Sequence, residues 1–454
     1  MIIKSINPYT EEVNGEIELY NSKKAVTMLK NASNAYVKWN KLDIKERSEY
    51  FFRLAKILRN NKRRYGELIT KEMGKPITQS IAEIEKCAWC AEFYAENAEN
   101  WLKDEFVTME AKKSFIAFQG IGAIFSIMPW NYPFWQVFRF AVPTLIAGNT
   151  TIVKVSNSVP FSGLAIEEAF EMAEFPENVF KIVLVTHDIA EGLIKRKEVK
   201  GVSFTGSSMA GKRIAKIATS HLKKVVLELG GSDPMIILKD ADVKYSCENA
   251  VKGRTVSTGQ SCIATKRIIL EKELENSFTE NFILLMKNLK IGDPMDPSVD
   301  IGPLANADQV KLINNFLNDA LEKGAILKTG GKKVNGKGFV FEPTVLTNIK
   351  KNMNLWKEEV FGPIAPIMIA KNEKDAIKLA NSSMYGLGAS IWTKNEKLGE
   401  KLAREIEAGI VYVNDYVKSD PRIPFGGVKE SGFGRELSRY GLLEFTNIKS
   451  IVIK

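Results

Sequence analysis

A thiol and a carboxylate, at separate points of the chain, are residue types that together can perform covalent catalysis. Cys262 ends the run Gly259–Cys262, and Glu228 ends a β-prone segment just before Gly230. A thiolate can attack a carbonyl carbon, and a carboxylate can later activate the water molecule that releases the product. The sequence therefore predicts a nucleophile and a base, provided that the fold brings the two side chains together.

Other catalytic chemistries have little support from the residue types. The chain has only two histidines, His187 and His221, so neither a histidine-based metal site nor a Ser-His-Asp triad is indicated. Cys87 and Cys90 have the spacing of a redox or metal-binding pair, but they lie in a long helical pattern and no second pair follows. We therefore expect no metal ion, and we expect these two thiols to pack as small apolar side chains.

The bulk composition is that of a globular protein with large cores. The 454 residues are 45% hydrophobic and 26% charged, and 64 basic against 54 acidic residues give a net charge of +10. The basic residues are scattered beside glutamates, so we expect no nucleic-acid partner. No apolar run is long enough to span a bilayer, the first residues are too polar for a secretory signal, and four cysteines are too few for a disulfide framework. The sequence predicts a cytoplasmic protein with no membrane partner.

The elements that must position Cys262 and Glu228 follow from the hydrophobic periodicity. The first hundred residues show helical spacing, with Asn21 and Ser22 as a helix start and 44–59 as a further helix. From residue 122 the pattern changes to alternating strands and helices, which is typical of parallel βαβ units. The predicted strands of this series are 122–128, 151–155, 179–184, 199–204 and 224–229, and the predicted helices are 135–147, 159–173 and 208–219.

A second α/β series follows Gly230. It includes predicted helices at 274–289 and 308–323 and predicted strands at 365–369 and 410–414. The last segment, 448–453, is rich in β-branched residues and would be a sticky edge if it were exposed alone. We expect it to pair with the polar stretch 106–119 or with a neighbouring subunit.

One glycine-rich turn is a candidate phosphate site. Gly206 and Ser207 lie between a predicted strand and a predicted helix, where unpaired N–H groups and the helix dipole favour a pyrophosphate. The run Gly206–Lys212 has the spacing of a P-loop, but Arg213 stands where a magnesium-binding Ser or Thr is required. A nucleotide hydrolase is therefore one alternative, and a turn without a ligand is another.

Six short motifs follow one another along the chain, namely Pro129–Pro133, Phe204–Ser207, Leu227–Gly231, Gly259–Cys262, Glu359–Pro363 and Pro424–Gly432. Their order resembles that of the NAD(P)-dependent aldehyde dehydrogenase superfamily, and the resemblance covers nearly the whole chain. Within that superfamily, Trp130–Arg139 and Phe425–Glu436 are most similar to the short succinate-semialdehyde dehydrogenases.

This resemblance implies a fold and a division into domains. The fold class would be α/β, with a Rossmann-type cofactor domain, an α/β catalytic domain and a small β oligomerisation element. The cofactor domain would be 1–102 and 121–230, the catalytic domain 231–435, and the oligomerisation element 103–120 and 436–454. The active site would lie between the two large domains, and the protein would form a homodimer or homotetramer.

The resemblance also implies catalytic roles. Cys262 would attack the aldehyde carbon, and the Asn131 side chain with the Cys262 backbone N–H would form the oxyanion hole, where losing one donor typically costs about 10²–10³ in rate. Glu228 would activate the water that hydrolyses the thioester. Taken singly, each residue has an ordinary structural explanation, Asn131 as a turn residue and Glu228 as a salt-bridge partner.

A further set of residues would hold the cofactor, which the resemblance implies to be NAD or NADP. Trp130 and Ser207 would contact the pyrophosphate, Glu359 would hold the nicotinamide ribose with Phe361 beside it, and Lys154 would hold the adenosine ribose. The full predicted set is Trp130, Lys154, Asn157, Gly206, Ser207, Glu359 and Phe361.

Asn157 favours NADP over NAD. Many NAD-preferring relatives have a glutamate three residues after the lysine that corresponds to Lys154. A carboxylate at that place would repel a 2′-phosphate, whereas the neutral amide of Asn157 would not. We therefore expect NADP to be accepted and to be preferred.

Arg139 favours a substrate that carries a carboxylate. The resemblance places this arginine where succinate-semialdehyde dehydrogenases bind the substrate carboxylate, and a guanidinium fork matches that group. A salt bridge on a helix is the alternative, Arg254 does not clearly match the family's second carboxylate-binding arginine, and a further anchor is expected among Ser419, Asp420 and Arg422.

The sequence thus predicts oxidation of a small aldehyde, succinate semialdehyde first, to its acid through a Cys262 thiohemiacetal and thioester. Glyceraldehyde and simple aliphatic aldehydes are alternative substrates. A P-loop nucleotide hydrolase and a basic binding protein without catalysis are the alternatives from other classes. The distance and direction between Glu228 and Cys262 are left open.

Overall fold

Helices dominate the first hundred residues, as the apolar spacing predicts. The computed structural model describes residues 1–336 and 338–454. Asn21 caps the first helix, its side chain accepting a hydrogen bond from the Lys24 N–H at 2.9 Å, and Asp43 and Glu46 form a capping box on the second. In chain order the helices are α1 (Ser22–Trp39), α2 (Ile44–Asn60), α3 (Lys62–Met73), α4 (Ile77–Leu102), α5 (Trp135–Ile146), α6 (Pro160–Met172), α7 (His187–Ile194), α8 (Ser208–Thr219), α9 (Val243–Thr255), α10 (Glu275–Lys287), α11 (Ala307–Glu322), α12 (Asn354–Lys357), α13 (Glu373–Asn381), α14 (Glu396–Ala403) and α15 (Ser438–Leu443).

The strands fall into two large sheets and smaller pairings within residues 1–336 and 338–454. Two short 3-10 helices, Val256–Gly259 and Lys272–Leu274, lie before and after the strand Thr265–Glu271. In chain order the strands are β1 (Ile2–Ile6), β2 (Val13–Glu18), β3 (Glu105–Phe106), β4 (Lys113–Gly120), β5 (Ala123–Ile127), β6 (Thr150–Lys154), β7 (Phe180–Ile182), β8 (Val199–Thr205), β9 (Lys224–Glu228), β10 (Asp233–Ile237), β11 (Thr265–Glu271), β12 (Ile326–Thr329), β13 (Thr344–Thr347), β14 (Ile364–Ala370), β15 (Tyr385–Gly386), β16 (Gly388–Trp392), β17 (Ile410–Val413), β18 (Val428–Lys429), β19 (Gly432–Phe433) and β20 (Thr446–Ile453).

The first large sheet has the order β19-β9-β8-β5-β6-β7, and its strands from β9 to β7 are parallel. The chain reverses direction across the sheet at β5, since β6 and β7 lie on one side and β8 and β9 on the other. In such doubly wound sheets, ligands bind outside the carboxyl ends of the strands at the reversal point. Trp130, Gly206 and Glu228 stand at or just beyond these carboxyl ends, so the fold gathers them at one edge.

The second large sheet has the order β12-β13-β14-β11-β10-β16-β17. Its strands are parallel except for β12, which pairs antiparallel with β13. Strands β10 and β11 are buried along their whole length, in agreement with the apolar runs Met235–Ile237 and Ile268–Leu270 that they contain. The loops that carry Cys262 and Phe361 lead directly into β11 and β14, so this sheet presents its amino ends to the site.

The β-rich tail pairs within the chain. Strand β20 lies antiparallel to β4 along its whole length, from Thr446 opposite Gly120 to Ile453 opposite Lys113, and β3 flanks β4 on the other side. The expected pairing with the stretch 106–119 is confirmed. The outer edge of β20 has no strand beside it among the described residues.

Helix α5 positions Gln136 and Arg139, and a buried carboxylate holds its first turn. All of its residues are buried. Glu83 on α4 accepts hydrogen bonds from the backbone N–H groups of Phe134 at 3.0 Å and Trp135 at 2.9 Å, where a negative charge suits the positive end of the helix dipole. Its other oxygen pairs with the buried Lys75 ammonium. A buried ion pair between Glu83 and Lys75 therefore fixes the start of α5, and the sequence pattern does not predict this pair.

The α/β fold class is confirmed, with each predicted strand and helix found within a few residues of its expected position. The domain boundaries stay a prediction. Strand β19, which the prediction assigns to the catalytic domain, pairs with β9 of the first sheet. No helix in the described part of the chain combines the length and the apolar character needed to cross a membrane.

Candidate active site

The loop that carries Cys262 has a constrained backbone. Between α9 and β11, Ser257 and Thr258 have φ values of 52° and 56°, which non-glycine residues adopt rarely. Gly259 follows with φ of 76°, and a Cβ atom there would lie 2.4 Å from the carbonyl oxygen of Gly362. Glycine is therefore required at position 259, because the loop leading to Cys262 passes directly against the loop that carries Glu359.

Arg254 holds this loop in place and lines neither of the two clefts that reach Cys262. Its buried guanidinium donates to the carbonyl oxygens of Thr265 at 3.0 Å, Gly259 at 2.9 Å and Gly362 at 2.5 Å. Burial lowers the pKa of Arg254 to about 9, and Glu359 acts in the opposite direction. The role of Arg254 is therefore to hold the loop, which accounts for its poor match to a carboxylate-binding arginine.

Asn131 reaches the nucleophile loop. Its side-chain nitrogen donates to the Gln260 carbonyl oxygen at 3.1 Å, and the side-chain oxygen of Gln260 accepts from the Ala305 N–H at 2.9 Å. An amide nitrogen carries two hydrogens, so one remains for a further acceptor. The structure brings Asn131 and Cys262 to one place, as an oxyanion hole requires.

The Cys262 thiol is protonated at neutral pH in this arrangement. Burial raises its pKa to about 12, the positive charges of Arg139 and Lys266 lower it, and the carboxylates of Glu359 and Glu228 raise it further. The residue remains partly accessible because it lines two clefts. A thiol with such a pKa needs activation before it can act as a nucleophile.

Glu228 is buried at the carboxyl end of β9. Neither of its carboxylate oxygens has a hydrogen-bond partner among the described residues, and burial raises its pKa well above the ordinary value. One oxygen faces Gly426, where an added Cβ atom would lie 2.8 Å away. Glu228 therefore lies close enough to Cys262 for their charges to interact, but its carboxylate is directed toward the Gly426 turn and not into either cleft.

Arg139 belongs to a buried charge cluster beside the thiol. Its guanidinium pairs with Glu436 and stacks over the Phe425 ring, 4.3 Å from the ring centroid. One terminal nitrogen has no hydrogen-bond partner within the described residues. Burial lowers the pKa of Arg139, but the carboxylates of Glu436 and Glu228 outweigh it and leave the pKa raised. The arginine is both a salt-bridge partner, the alternative considered above, and a cation at the cleft wall.

The first cleft opens between the two large sheets. Most of the residues predicted to hold a cofactor line it, and so does Cys262. The lining residues are Pro129, Trp130, Asn131, Gln136, Thr205, Gly206, Ser207, Leu229, Gly230, Cys262, Gln309, Leu312, Glu359 and Phe361. The rings of Trp130 and Phe361, from opposite walls, pack edge to face with centroids 5.7 Å apart. The structure thus brings together five of the seven predicted cofactor residues, namely Trp130, Gly206, Ser207, Glu359 and Phe361.

The Gly206 turn has the geometry of an anion site without a P-loop lysine. Ser207 caps α8, its hydroxyl accepting from the Ala210 N–H at 3.4 Å, so the first N–H groups of the helix face the cleft. Lys212, which would be the phosphate lysine of a P-loop, forms an ion pair with Glu430 at 2.5 Å. The turn therefore supports binding of a diphosphate and does not support the P-loop alternative.

Lys154 ends strand β6, next to the turn that holds Trp130, and Asn157 follows three residues later. The Met128 N–H donates to the Lys154 carbonyl oxygen at 2.8 Å, which fixes the two strand ends side by side. Burial lowers the pKa of Lys154 to about 8, and the side-chain oxygen of Asn157 is buried without a partner in the described part of the chain. Neither side chain is among the residues that line the cleft.

A second cleft reaches Cys262 from the other side and is rich in cations. Its lining residues are Gln79, Ala82, Glu83, Lys86, Tyr132, Trp135, Gln136, Arg139, Val256, Ser261, Cys262, Ile263, Tyr416, Val417, Lys418, Ser419 and Phe425. Lys86 donates to the Ser419 hydroxyl at 2.6 Å and lies 4.3 Å from the centroid of the Trp135 ring. Burial, and then the charge of Arg139, lower the pKa of Lys86 to about 8. Asp420 and Arg422 pair with each other at 2.6 Å and do not line this cleft.

Sequence reasoning missed Lys86, Glu83 and Lys266. Glu83 and Lys86 lie one turn apart on α4, so helical periodicity combined with the apolar character of that helix was a usable signal. Lys266 and Arg267 stand directly before the apolar run Ile268–Leu270, and charged residues next to such a run indicate buried partners. Neither signal identifies the partner, because each partner lies far away in the sequence.

A model of the aldehyde dehydrogenase family matches residues 1–451. The chain belongs to the aldehyde dehydrogenase family. The prediction of an aldehyde dehydrogenase is therefore confirmed, and the hydrolase and the non-catalytic binding protein are set aside.

Similar proteins agree over the whole length of this aldehyde dehydrogenase. It is 42% identical over 453 residues to a probable NADP(+) succinate-semialdehyde dehydrogenase from Synechocystis sp., with full coverage of both chains. It is 40% identical over 447 residues to the NAD(P)+ succinate semialdehyde dehydrogenase Sad of Escherichia coli, covering 98% of this chain and 97% of that one. A crystal structure of succinic semialdehyde dehydrogenase from Streptococcus pyogenes, in complex with NADP+ as the cofactor, matches with a TM-score of 0.97 and 34% identity over 99% of each chain.

Proposed function

We propose that this aldehyde dehydrogenase oxidises succinate semialdehyde to succinate with NADP+ as the preferred cofactor. The observation that carries the proposal is the position of Cys262, which lines both clefts. One cleft presents the Gly206 turn and Glu359, which suit a dinucleotide, and the other presents Arg139 and Lys86, which suit a carboxylate. The names of the similar proteins support the same substrate and cofactor.

The substrate carboxylate is held at the cationic end of the second cleft. The unpaired nitrogen of Arg139 offers an N–H donor, and Lys86 and Ser419 offer a second cation and a hydroxyl. Cys262 lines the same cleft, so a short substrate can place its aldehyde at the thiol while its carboxylate reaches these donors. The aromatic walls formed by Tyr132 and Trp135 suit the methylene groups between them.

The chemistry begins at the thiol. The Cys262 thiol transfers its proton to water in the cleft, and the sulfur then attacks the aldehyde carbon, giving a thiohemiacetal whose oxygen is negative. The second hydrogen of the Asn131 amide and the Cys262 backbone N–H stabilise this oxygen. Arg139 and Lys266 are the positive charges that favour the thiolate, because both lower the pKa of Cys262.

The first cleft fits a dinucleotide by its donors and its shape. The Gly206 turn supplies backbone N–H groups to this cleft. Lys154, a buried cation, and Asn157, whose buried side-chain oxygen is unpartnered among the described residues, do not line the cleft, and we propose that they meet the adenosine ribose beyond it. A Cβ atom at Gly230 would lie 2.5 Å from a Glu359 oxygen, so glycine keeps that wall open. Bound NADP+ supplies a hydride acceptor. Trp130, Ser207, Glu359 and Phe361 are the side chains placed to hold it.

Glu228 serves as the base for thioester hydrolysis. Its carboxylate has no hydrogen-bond partner among the described residues, and burial raises its pKa, so that in the deprotonated form it is a stronger base toward water than an ordinary glutamate. Because it is directed toward Gly426, its side chain has to rotate toward Cys262 for this step. That rotation separates the acylation step from the hydrolysis step.

A substrate panel with both cofactors tests the proposal. We expect kcat/KM to be highest for succinate semialdehyde with NADP+, and lower for glyceraldehyde and butanal. Replacing Lys86 with Met should raise KM for succinate semialdehyde by roughly tenfold or more, the usual loss for one charge-assisted hydrogen bond, and should leave KM for butanal unchanged. Equal effects on both aldehydes, or a preference for butanal in the wild type, would contradict the proposed substrate.

Arg139→Lys is a second variant for the same test. It keeps a positive charge beside Glu436 and so avoids an unpaired buried carboxylate, but it removes the guanidinium fork. We expect KM for succinate semialdehyde to rise more than KM for butanal.

We further propose that the protein is a homodimer or homotetramer in the cytoplasm. The open edge of β20 and its exposed Ile448, Val452 and Ile453 support self-association, since such an edge invites pairing. The four cysteines remain as free thiols, as is usual in a reducing compartment. Light scattering coupled to gel filtration measures the assembly, and Val452→Lys should shift it toward the monomer. Subcellular fractionation tests the location.

A further inference from the structure

Lys266 joins the nucleophile loop to Glu359, an acid that lines the first cleft. Its ammonium nitrogen donates to the carbonyl oxygen of Cys262 at 2.6 Å and lies 2.9 Å from a carboxylate oxygen of Glu359. The Lys266 side chain is fully buried, at 0% exposure, and belongs to the second residue of strand β11. Burying an ammonium group is costly unless it is paired and hydrogen-bonded, and here it is both.

The contact with Glu359 leaves one carboxylate oxygen free. Oε1 of Glu359 accepts from the Gly231 N–H at 3.1 Å as well as from Lys266. Oε2 instead faces Gly230, which lines the first cleft. Lys266 and Gly231 therefore fix Glu359 by one oxygen and present the other to whatever occupies the cleft.

The contact with Cys262 acts on the backbone of the nucleophile itself. Holding the Cys262 carbonyl fixes the peptide unit that follows the thiol. The Lys266 ammonium is also one of the charges that surround the thiol, together with Arg139, Glu359 and Glu228. A single cation thus touches both the reactive residue and the acid of the first cleft.

We propose that Lys266 is a positioning residue that couples the cofactor cleft to the nucleophile, so that binding at Glu359 and the reactivity of Cys262 change together. This inference rests on the proposed binding of NADP+ at Glu359. When a cofactor hydroxyl forms a hydrogen bond with Glu359, the pairing between Glu359 and the Lys266 ammonium weakens. The positive charge of Lys266 then acts more strongly on Cys262. Because Lys266 lowers the pKa of the thiol, weaker pairing with Glu359 favours the thiolate.

The test compares Lys266→Met, Lys266→Arg and Glu359→Gln with the wild type. Two quantities are measured for each purified enzyme: the dissociation constant of NADP+ by calorimetry, and the rate of Cys262 alkylation by iodoacetamide from pH 6 to pH 10 with and without NADP+. Lys181→Met is the matched control. Lys181 also pairs with two acids, Glu167 and Glu171, but it is remote from both clefts.

For Lys266→Met we expect the NADP+ dissociation constant to rise roughly tenfold or more, because Glu359 loses a charged hydrogen bond. We also expect slower alkylation below pH 10, with a pH profile displaced to higher pH, and no effect of NADP+ on that profile. Lys266→Arg should recover part of both properties. Lys181→Met should match the wild type.

Several outcomes overturn the inference. One is a Lys266→Met enzyme with wild-type NADP+ affinity and an unmoved alkylation profile. If that variant does not fold, Glu359→Gln provides the test, because it keeps Lys266. Its Cys262 should be alkylated faster at a given pH, and NADP+ should no longer change the alkylation rate. An unchanged alkylation profile rejects the coupling. A wild type that binds NADP+ normally but shows no NADP+ effect on alkylation rejects the coupling alone, whereas a wild type that does not bind NADP+ overturns the proposed function as well.

Discussion

At the scale of single residues, the Cys262 thiol is governed by burial. Its pKa of about 12 lies far above neutral pH, so only a small fraction of the thiol is present as thiolate. As long as the pH stays below the pKa, this fraction increases about tenfold for each unit by which the pH rises. We expect the alkylation rate of the cofactor-free enzyme to rise steadily from pH 7 to pH 10. Cys262→Ala is the control, because Cys87, Cys90 and Cys247 are buried and should react slowly. A rate that levels off below pH 8 would contradict this expectation.

Glu228 permits a separation of the two chemical steps. Glu228→Gln removes the base but keeps the shape, so acylation should proceed once and hydrolysis should stop. We expect a burst of NADPH equal to the enzyme concentration, followed by a steady rate reduced by about 10²–10⁴-fold. Rapid-mixing absorbance at the NADPH band measures both phases.

The pH dependence of the wild type follows from the same residue. Burial raises the pKa of Glu228, and a base must be deprotonated to act, so kcat should fall as the pH drops through that raised pKa. If the Glu228→Gln enzyme shows no burst of NADPH before its steady phase, acylation also requires Glu228.

Asn157 is the residue on which the cofactor preference depends. Asn157→Glu places a carboxylate beside Lys154, where it would repel a 2′-phosphate and accept hydrogen bonds from a free 2′-hydroxyl. We expect the ratio of kcat/KM for NADP+ to that for NAD+ to fall by roughly tenfold or more. Asn157→Gln, which is neutral, should change the ratio far less. A glutamate variant that retains the wild-type ratio would show that position 157 does not meet the 2′ position.

Residue types and motifs identified five residues that line the first cleft, because this cleft is built from short segments at strand ends. Trp130, Gly206 and Ser207 each follow a parallel strand, and parallel strands bring their carboxyl ends together. Partners that are distant in sequence could not be predicted. Nothing in the sequence pairs Arg139 with Glu436 or Lys266 with Glu359, since those contacts depend on how separate elements pack.

At the scale of elements, helix α5 depends on a buried ion pair. Glu83→Gln keeps an acceptor for the N–H groups of Phe134 and Trp135 but leaves the Lys75 ammonium buried without its counter-charge. Breaking such a pair typically costs about 3–5 kcal/mol, and we expect that loss in the free energy of unfolding measured with urea. Activity should fall as well, because α5 carries Arg139.

A matched control lies on the same helix. Glu85 on α4 pairs with Arg59 in solvent, and Glu85→Gln should cost no more than about 1 kcal/mol. Equal destabilisation by the two substitutions would mean that burial of the Glu83 pair is unimportant.

Element boundaries were predictable where a local signal fixes them. The Asn21 cap, the Gly206 turn and the alternation of strands and helices all act over a few residues. The tail is a harder case: β-branched residues predicted a strand at 448–453, and the structure shows a longer one, Thr446–Ile453, because pairing with β4 extends it. Tertiary pairing, which a single segment does not encode, sets the length of an edge strand.

At the scale of the whole molecule, the site exists only where the two large sheets meet. The carboxyl ends of one sheet supply Trp130 and Ser207, and the amino ends of the other supply Cys262, Glu359 and Phe361. Each half alone has the fold of a common α/β layer, and neither contains a complete set of reacting groups. This explains why composition and periodicity indicate an α/β protein while the chemistry becomes clear only from the ordered motifs.

A cofactor that touches both sheets should stabilise both. We expect NADP+ to slow hydrogen exchange in two separate segments, around 205–211 at the start of α8 and around 358–363 before β14. It should also raise the free energy of unfolding by about 2.7 kcal/mol at a concentration one hundred times its dissociation constant. Glu359→Gln should keep the protection at 205–211 and lose most of it at 358–363, since only the second segment depends on that carboxylate. Hydrogen-exchange mass spectrometry resolves the two segments, and protection confined to the first in the wild type would show that the second sheet does not hold the cofactor.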